Sequence, residues 1–396
     1  MSERIAIVGV GQTYFKSRRP DVSEVEMVNE AVMAALQNAQ LTIQDVDAVV
    51  VGNMELFEGD YLVDMWLTGG SGAYMKSGFK VQTGGSTGSS VGCTVFDLAA
   101  TGEFKTILGI GFEKQDEGSS QAGLRSIHED VFFDVGSSGK SAATAVQSVA
   151  LDMMRRKSIT EEQVAMVRVK QAENAMRNPY AHLRRKLTVE EVMNSPRLAW
   201  PLRVFHMCPT SVGACAIIVA PESRVKTISN NPAWVADWTN IHGGILPFYG
   251  SLTPSWTSTP LGPMWAWSVE QAANRIYKRN GITNPRKEFD VIEVYDMATW
   301  AEIEWYERIH LCERNDAHKL VEQKATWIDG DIPVNPSGGV TSTNAIGASA
   351  LQRIAEVAIQ IRGEGGERQV PNVRQGLAVT AGGDMYSAGV LLKKSL

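Results

Sequence analysis

The feature that most constrains this chain is an internal echo. The order NAQLTIQDVDAVVVG in the first half is mirrored by RNGITNPRKEFDVIEVYD in the second: a helix end, a short turn, a polar spacer and an apolar strand. Before the first copy, IAIVGVGQT (5–13) reads as a buried strand. The spacing of Val25, Met27, Val28, Ala31, Val32 and Leu36 then predicts a helix from about Ser23 to Ala39. A helical pattern over 89–102 leads into FKTILGIGFEK (104–114), just as GASALQRIAEVAIQIRG (347–363) leads into QGLAVTAGG (375–383). Two copies of one strand and helix unit, each with a buried helix behind a Gly/Ser-rich turn, predict an internally duplicated α/β fold.

Between the copies the character changes. Residues 115–210 are richer in charge and carry helical patterns such as TEEQVAMVRVKQAENAMRN (160–178), which reads as a mostly helical insertion, a lid over a site. The expected division is therefore 1–114 for the first half, 115–210 for the insertion, 211–230 for the end of the first half and a linker, and 231–396 for the second half. Basic runs at 155–157 and 184–186 face either an anionic ligand or plain solvent.

Charge and cysteine usage narrow the partners. With 38 Lys and Arg against 44 Asp and Glu, the net charge of −6 argues against a dedicated nucleic-acid binder and for small molecules. The four cysteines show no CxxC spacing and the six histidines no HxxxH or HxH pair, so neither a disulfide framework nor a local zinc site is expected. No run of signal-peptide or membrane length is visible, and the expected compartment is the cytoplasm.

Two apparent nucleotide motifs fail. VGSSGKSA (135–142) has Asp134 where a phosphate loop needs its first glycine, and GVGQT lacks the third glycine of a dinucleotide fingerprint. The turns TGGSTGSS (83–90), NPSGGVTSTNAIGAS (335–349) and TAGGDM (380–385) are more informative. They gather backbone amides without bulky side chains, as an oxyanion site requires, although small residues also serve helix packing.

LAATGEFKTILGIGFEKQ (98–115), RNPYAHL (177–183), HMCPTSVGACAIIVA (206–220), STPLGPMWA (258–266), VIEVYDMAT (291–299) and VTAGGDMYSAGVLL (379–392), together with the NPSGG segment, resemble the thiolase superfamily, and within it the bacterial lipid-transfer or sterol-carrier type. The resemblance spans nearly the whole chain. It implies an α/β thiolase fold of duplicated halves, with two five-stranded mixed sheets, buried helices between them and an inserted loop domain. It also implies a homodimer core, coenzyme A as substrate or product with no tightly bound cofactor, and a possible small zinc-ribbon and oligonucleotide-fold subunit as partner.

The catalytic positions depart from the family. Its nucleophilic cysteine falls at Gly85, the histidine of its GHP motif at Asn344, its late cysteine at Thr380, and its NEAF asparagine near Tyr295 or Asp296. Cys93 lies two helical turns too far along to substitute, Cys208 matches a structural cysteine, and Ser86 has no evident base. What survives is oxyanion machinery: the amides of Gly85 and Ser86 and of Gly382 and Gly383, the side-chain amide of Asn344, and Tyr295 and Asp296 to move or orient a proton. Ser258, Gly262, Arg184 and Arg185 are the candidates to hold CoA.

Seven of the ten tryptophans fall between Trp234 and Trp305, joined by Phe248, Tyr249 and Tyr306. They build a core or an interface, or they line a pocket for a bulky aryl or steroid acyl group. Three activities stay open: CoA-dependent thiolysis of a 3-oxoacyl-CoA without a covalent cysteine intermediate, which the resemblance favours; retro-aldol cleavage of a 3-hydroxyacyl-CoA; and acyl-CoA binding by a non-catalytic subunit.

Overall fold

The computed structural model describes residues 3–59, 61–118, 142–243, 264–382 and 386–396. In the first half, β1 (Ile5–Gln12) leads to α1 (Glu24–Ala39), which Ser23 and Glu26 close in a capping box; β2 (Ala48–Gly52), β3 (Ser77–Val81), α2 (Thr87–Thr101) and β4 (Ile107–Lys114) follow. Next come α3 (Ala142–Arg156), α4 (Glu161–Arg177) and a small hairpin, β5 (Arg197–Ala199) with β6 (Leu202–Arg203); β7 (Val212–Pro221) then returns to the sheet. The second half supplies β8 (Ala233–His242), α5 (Met264–Asn280), β9 (Val291–Val294), α6 (Thr299–Arg308), α7 (Ile346–Arg362), β10 (Gln375–Gly382) and β11 (Tyr386–Lys393).

The duplication is visible in the strand order. One mixed sheet runs β3-β2-β4-β7-β1-β8-β11-β10-β9, so β2-β4-β7-β1 and β9-β10-β11-β8 are the same pattern read from opposite ends. β2 pairs parallel with β4 as β9 does with β10, and the halves meet where β1 and β8 run antiparallel, Ile5 opposite Val235. The α/β thiolase fold is as the resemblance implies, but its two five-stranded mixed sheets are corrected: among the described residues five strands and four strands join edge to edge into one nine-stranded sheet. Open edges at β1 and β8 would leave unpaired backbone groups, and each satisfies the other.

This sheet folds over its own helices. β4 and β10 are five strand positions apart, about 24 Å in a flat sheet, yet α7 packs on both. α7 and its neighbour α2 thus pack against strands of both halves. All seventeen residues of α7 are buried, and three of its polar side chains find partners: Arg353 with Glu293, Glu356 with Arg368, and Gln352 with Gln12. The two helices touch backbone to backbone, because a β-carbon on Gly88 would stand 2.4 Å from the Leu351 nitrogen. Glycine is what permits that approach.

The tryptophans divide. Trp300, Trp305 and Tyr306 are core, packed with Ile292, Val294 and Leu377. Trp238 is half-buried against Phe96 and donates to Asp97, while Trp267 is exposed. Phe248, Tyr249 and Trp256 lie outside the described residues. No helix among the described residues is long and apolar enough to cross a membrane.

Candidate active site

The strand β3, the turn at 82–86 and the helix α2 form the strand-to-helix junction expected at VQTGGSTGSS. Gly84 takes φ +61°, a value that favours glycine, and the Thr87 hydroxyl closes the turn by accepting from Thr83 N at 3.0 Å and donating to Gly84 O at 2.6 Å. Across the molecule, β10 ends at Gly382 directly against it. A β-carbon on Gly382 would stand 2.2 Å from the Gly85 carbonyl carbon and 2.3 Å from Ser86 N. The structure therefore brings Gly85, Ser86 and Gly382 together; Gly383 lies outside the described residues.

The decisive neighbour is Tyr295, at the end of β9. A β-carbon on Gly85 would meet the Tyr295 hydroxyl at 3.3 Å and Gly382 Cα at 3.0 Å. The phenol fills the space that a nucleophilic side chain at 85 would need. Tyr295 donates to Asn344 Oδ1 at 3.4 Å, and Ser349 Oγ donates to the same oxygen at 3.1 Å. Two donors on one oxygen fix the amide's orientation and turn Nδ2 toward Cys208 Sγ, 3.2 Å away. Nδ2 carries a second hydrogen beside the one directed at Cys208.

Burial sets the protonation of these groups. It raises the Tyr295 phenol far above its ordinary range, helped by Cys208, so the group stays protonated across neutral pH. Cys208 retains some exposed surface as a residue, but its thiol is enclosed and is pushed up to about 12; Cys93, buried in α2, also reaches about 12. Neither cysteine is an activated nucleophile. Ser86 donates its hydroxyl to Tyr386 O at 2.8 Å, and Thr380 donates to Ser89 on α2 at 2.8 Å, so both hydroxyls are engaged in structure. The Ser86 amide is drawn into the turn as well, donating to Thr83 O at 3.3 Å.

Asp296, next in the chain, is held by donors of its own. Its oxygens accept from Val340 N (2.6 Å), Thr341 Oγ1 (2.8 Å) and Gln171 Nε2 (2.8 Å), and Gly339, at φ +70°, leaves room for the carboxylate where a β-carbon would lie 2.4 Å away. Burial pushes its pKa up to about 7, with Glu302 adding and Arg353 opposing. These bonds fasten the 335–341 loop and the α4 helix to the end of β9. Trp305 supports the same place by donating to the Tyr295 carbonyl at 2.8 Å.

The sequence reading missed several supports. Glu113 on β4 accepts from Gly347 N at 2.6 Å and Met54 N at 2.9 Å, capping α7 from the other half of the chain. Ser211 accepts from Asn344 N at 3.0 Å and bonds His182 Nδ1 at 2.8 Å. Both residues stand in segments read as family-like, but no local pattern points to their partners. Arg184 is exposed and donates to Met176 O, and Arg185 pairs with exposed Glu191 and lies over Phe205. Ser258 and Gly262 fall outside the described residues.

Residues 260–394 match the family described as Thiolase C-terminal domain-like. An acetyl-CoA acetyltransferase of Methanothermobacter thermautotrophicus is 30% identical over 389 residues, 98% of each chain. The chain belongs to the thiolase superfamily. Sterol carrier protein 2 of Bos taurus is 27% identical to this superfamily member, over 95% of the chain and 70% of the bovine protein. Among solved structures, the Ltp2-ChsH2(DUF35) aldolase superposes with a TM-score of 0.84 at 23% identity, covering 99% of this chain and 98% of that one. Human mitochondrial 3-ketoacyl-CoA thiolase in complex with CoA superposes at 0.71 and 14% identity, covering 100% and 98%. These likenesses establish the thiolase fold.

Proposed function

We propose that this thiolase-superfamily protein cleaves, or in reverse forms, the Cα–Cβ bond of a 3-hydroxyacyl-CoA by an aldol route. The observation that carries the reading is the Tyr295 hydroxyl beside Gly85: a group able to relay a proton occupies the place of a nucleophile. In the cleavage direction, Tyr295 accepts the proton of the substrate hydroxyl while passing its own to Cα. The Cα–Cβ electron pair becomes the new Cα–H bond, and a ketone or aldehyde leaves beside a shortened acyl-CoA. A phenol that only relays a proton needs no ionised form, which fits its raised pKa. The second Nδ2 hydrogen of Asn344 and the Gly85 amide stabilise the thioester enolate as it develops.

Thiolysis, toward which the sequence leaned, is the second reading, supported by the acetyl-CoA acetyltransferase relative. It requires free CoA to attack without an activated enzyme nucleophile, and both thiols nearest the turn are held protonated. The fold admits the aldol reading, since the Ltp2-ChsH2(DUF35) aldolase shares it. A small zinc-ribbon partner fits either reaction. Pairing of two copies has support in the edge strand β3, with its exposed Phe79, and in exposed Trp66, Tyr74 and Met75. An aryl or steroid acyl group remains the substrate class we propose, with Trp267 an exposed member of the aromatic set among the described residues.

The test is product analysis by mass spectrometry. The protein, alone and with a candidate zinc-ribbon partner, is incubated with aryl and steroid 3-hydroxyacyl-CoA and 3-oxoacyl-CoA compounds, with and without free CoA. CoA-independent release of a ketone or aldehyde is expected. Cleavage that strictly requires CoA and yields two thioesters would replace the aldol reading with thiolysis, and binding without turnover would leave a carrier subunit.

A further inference from the structure

Among the described residues every buried lysine and arginine except one sits in an ion pair. Lys170 is held by Glu302, Lys157 by Glu304 and Glu307, Arg308 by Glu270 and Glu304, and Arg353 by Glu293. The exception is Arg168 on α4. It is 3% exposed, and its Nε and Nη1 are buried with no hydrogen-bond partner. Asp296 and Glu302 act on this charge through space, but neither pairs with it directly, and buried N–H groups without an acceptor are costly.

A second orphaned donor lies nearby. His206, fully buried, stands on the turn at 204–206 that packs on α4. Its Nδ1 accepts from Trp300 Nε1 at 3.2 Å and from Arg203 N at 3.3 Å, which puts the ring proton on Nε2, and Nε2 has no partner. Burial, with the charges of Arg203 and Arg168, holds this imidazole neutral, at about 3. The neighbouring acids are already engaged: Glu302 by Lys170, Gln171 and Asn335, and Asp296 by Val340, Thr341 and Gln171.

Three buried nitrogens carrying four N–H groups therefore lack an acceptor, although Asp296 and Glu302 act on the Arg168 charge through space. Water accepts at most two hydrogen bonds and carries no charge. We propose that Arg168 and His206 hold a small monovalent anion, a halide or halide-sized group, inside the protein between α4 and the turn at 204–206. The site is separate from the reacting groups, but Arg168 lies one helical turn from Gln171, which grips Asp296.

Bromide tests this on the full chain. Crystals soaked in sodium bromide are expected to give an anomalous peak in contact with Arg168 or His206. Thermal unfolding should rise saturably in sodium bromide over sodium gluconate at equal ionic strength, and Arg168→Met should abolish that difference. A map with only water at these nitrogens overturns the proposal, whether or not the variant folds. So does bromide stabilisation that survives Arg168→Met.

Discussion

Replacing Tyr295 by Phe separates chemistry from structure cleanly. The substitution removes one oxygen and keeps the buried ring. Its hydrogen bond to Asn344 is long, 3.4 Å, and Asn344 Oδ1 keeps its second donor, Ser349 at 3.1 Å, so no acceptor is orphaned. The structural loss should be at the low end for a hydrogen bond, about 0.5 kcal/mol, a shift of about 1 °C in Tm for a chain of this size. The catalytic loss should be far larger. If Tyr295 is the proton relay, cleavage should fall by about 10²–10⁴-fold, the range for a positioned acid or base, with KM little changed. Single-turnover release of ketone from 3-hydroxyacyl-CoA, followed alongside calorimetry of both proteins, measures the two effects on the same material. A variant that keeps its Tm and retains a third or more of wild-type turnover would remove Tyr295 from the mechanism.

Asn344→Ala should lower kcat by an amount equivalent to about 2–4 kcal/mol, as for one oxyanion donor; unchanged turnover would show that the amide does not touch the enolate. Gly382→Ala places a β-carbon 2.2 Å from Gly85, and chemical denaturation should show a loss of about 3 kcal/mol. Gly85→Ala, with its nearest contact at 3.0 Å, should fold and lose activity instead; the opposite ranking would contradict the apposition of the two turns. Asp296 gives a pH signature. Its folded pKa, about 7, lies above its ordinary 3.8, so its contribution to stability is fully present at low pH and declines as pH rises toward 7. Asp296→Asn does not titrate; its amide nitrogen meets donors, which gives a constant penalty. Relative to wild type, the variant should therefore gain on the order of 2 kcal/mol between pH 5 and 8. A stability difference that is flat over that range would show that Asp296 ionises normally.

The duplicated elements were legible because periodicity is local. Strands 5–12 and 48–52 and helices 24–39 and 346–362 announce themselves in apolar spacing, and the glycine turns mark where backbones approach. The joining of β1 to β8 was not legible, since either edge could equally have faced solvent. Trp300 and Trp305 could be read as pocket or core, and only packing against Ile292 and Leu377 decides for core. At the site, Gly85, Tyr295 and Asn344 were named by their place in the chain, but the orientation of Asp296 was not accessible. Its direction is fixed by Val340, Thr341 and Gln171, more than forty residues away on one side and more than a hundred on the other. Glu113 was invisible for the same reason, because its partner Gly347 lies on the opposite half.

The contact of Gly85 with Gly382 joins residues about 300 positions apart, and this has a kinetic meaning. Closing so long a loop is slow, and neither turn can hold the other's position until both halves have formed their own sheets around α2 and α7. Chemistry should thus be the last property the folding chain acquires and the first it loses under mild denaturant. Turnover should vanish while the strands of each half still resist hydrogen exchange, so that loss of activity marks the parting of two intact halves before either unfolds.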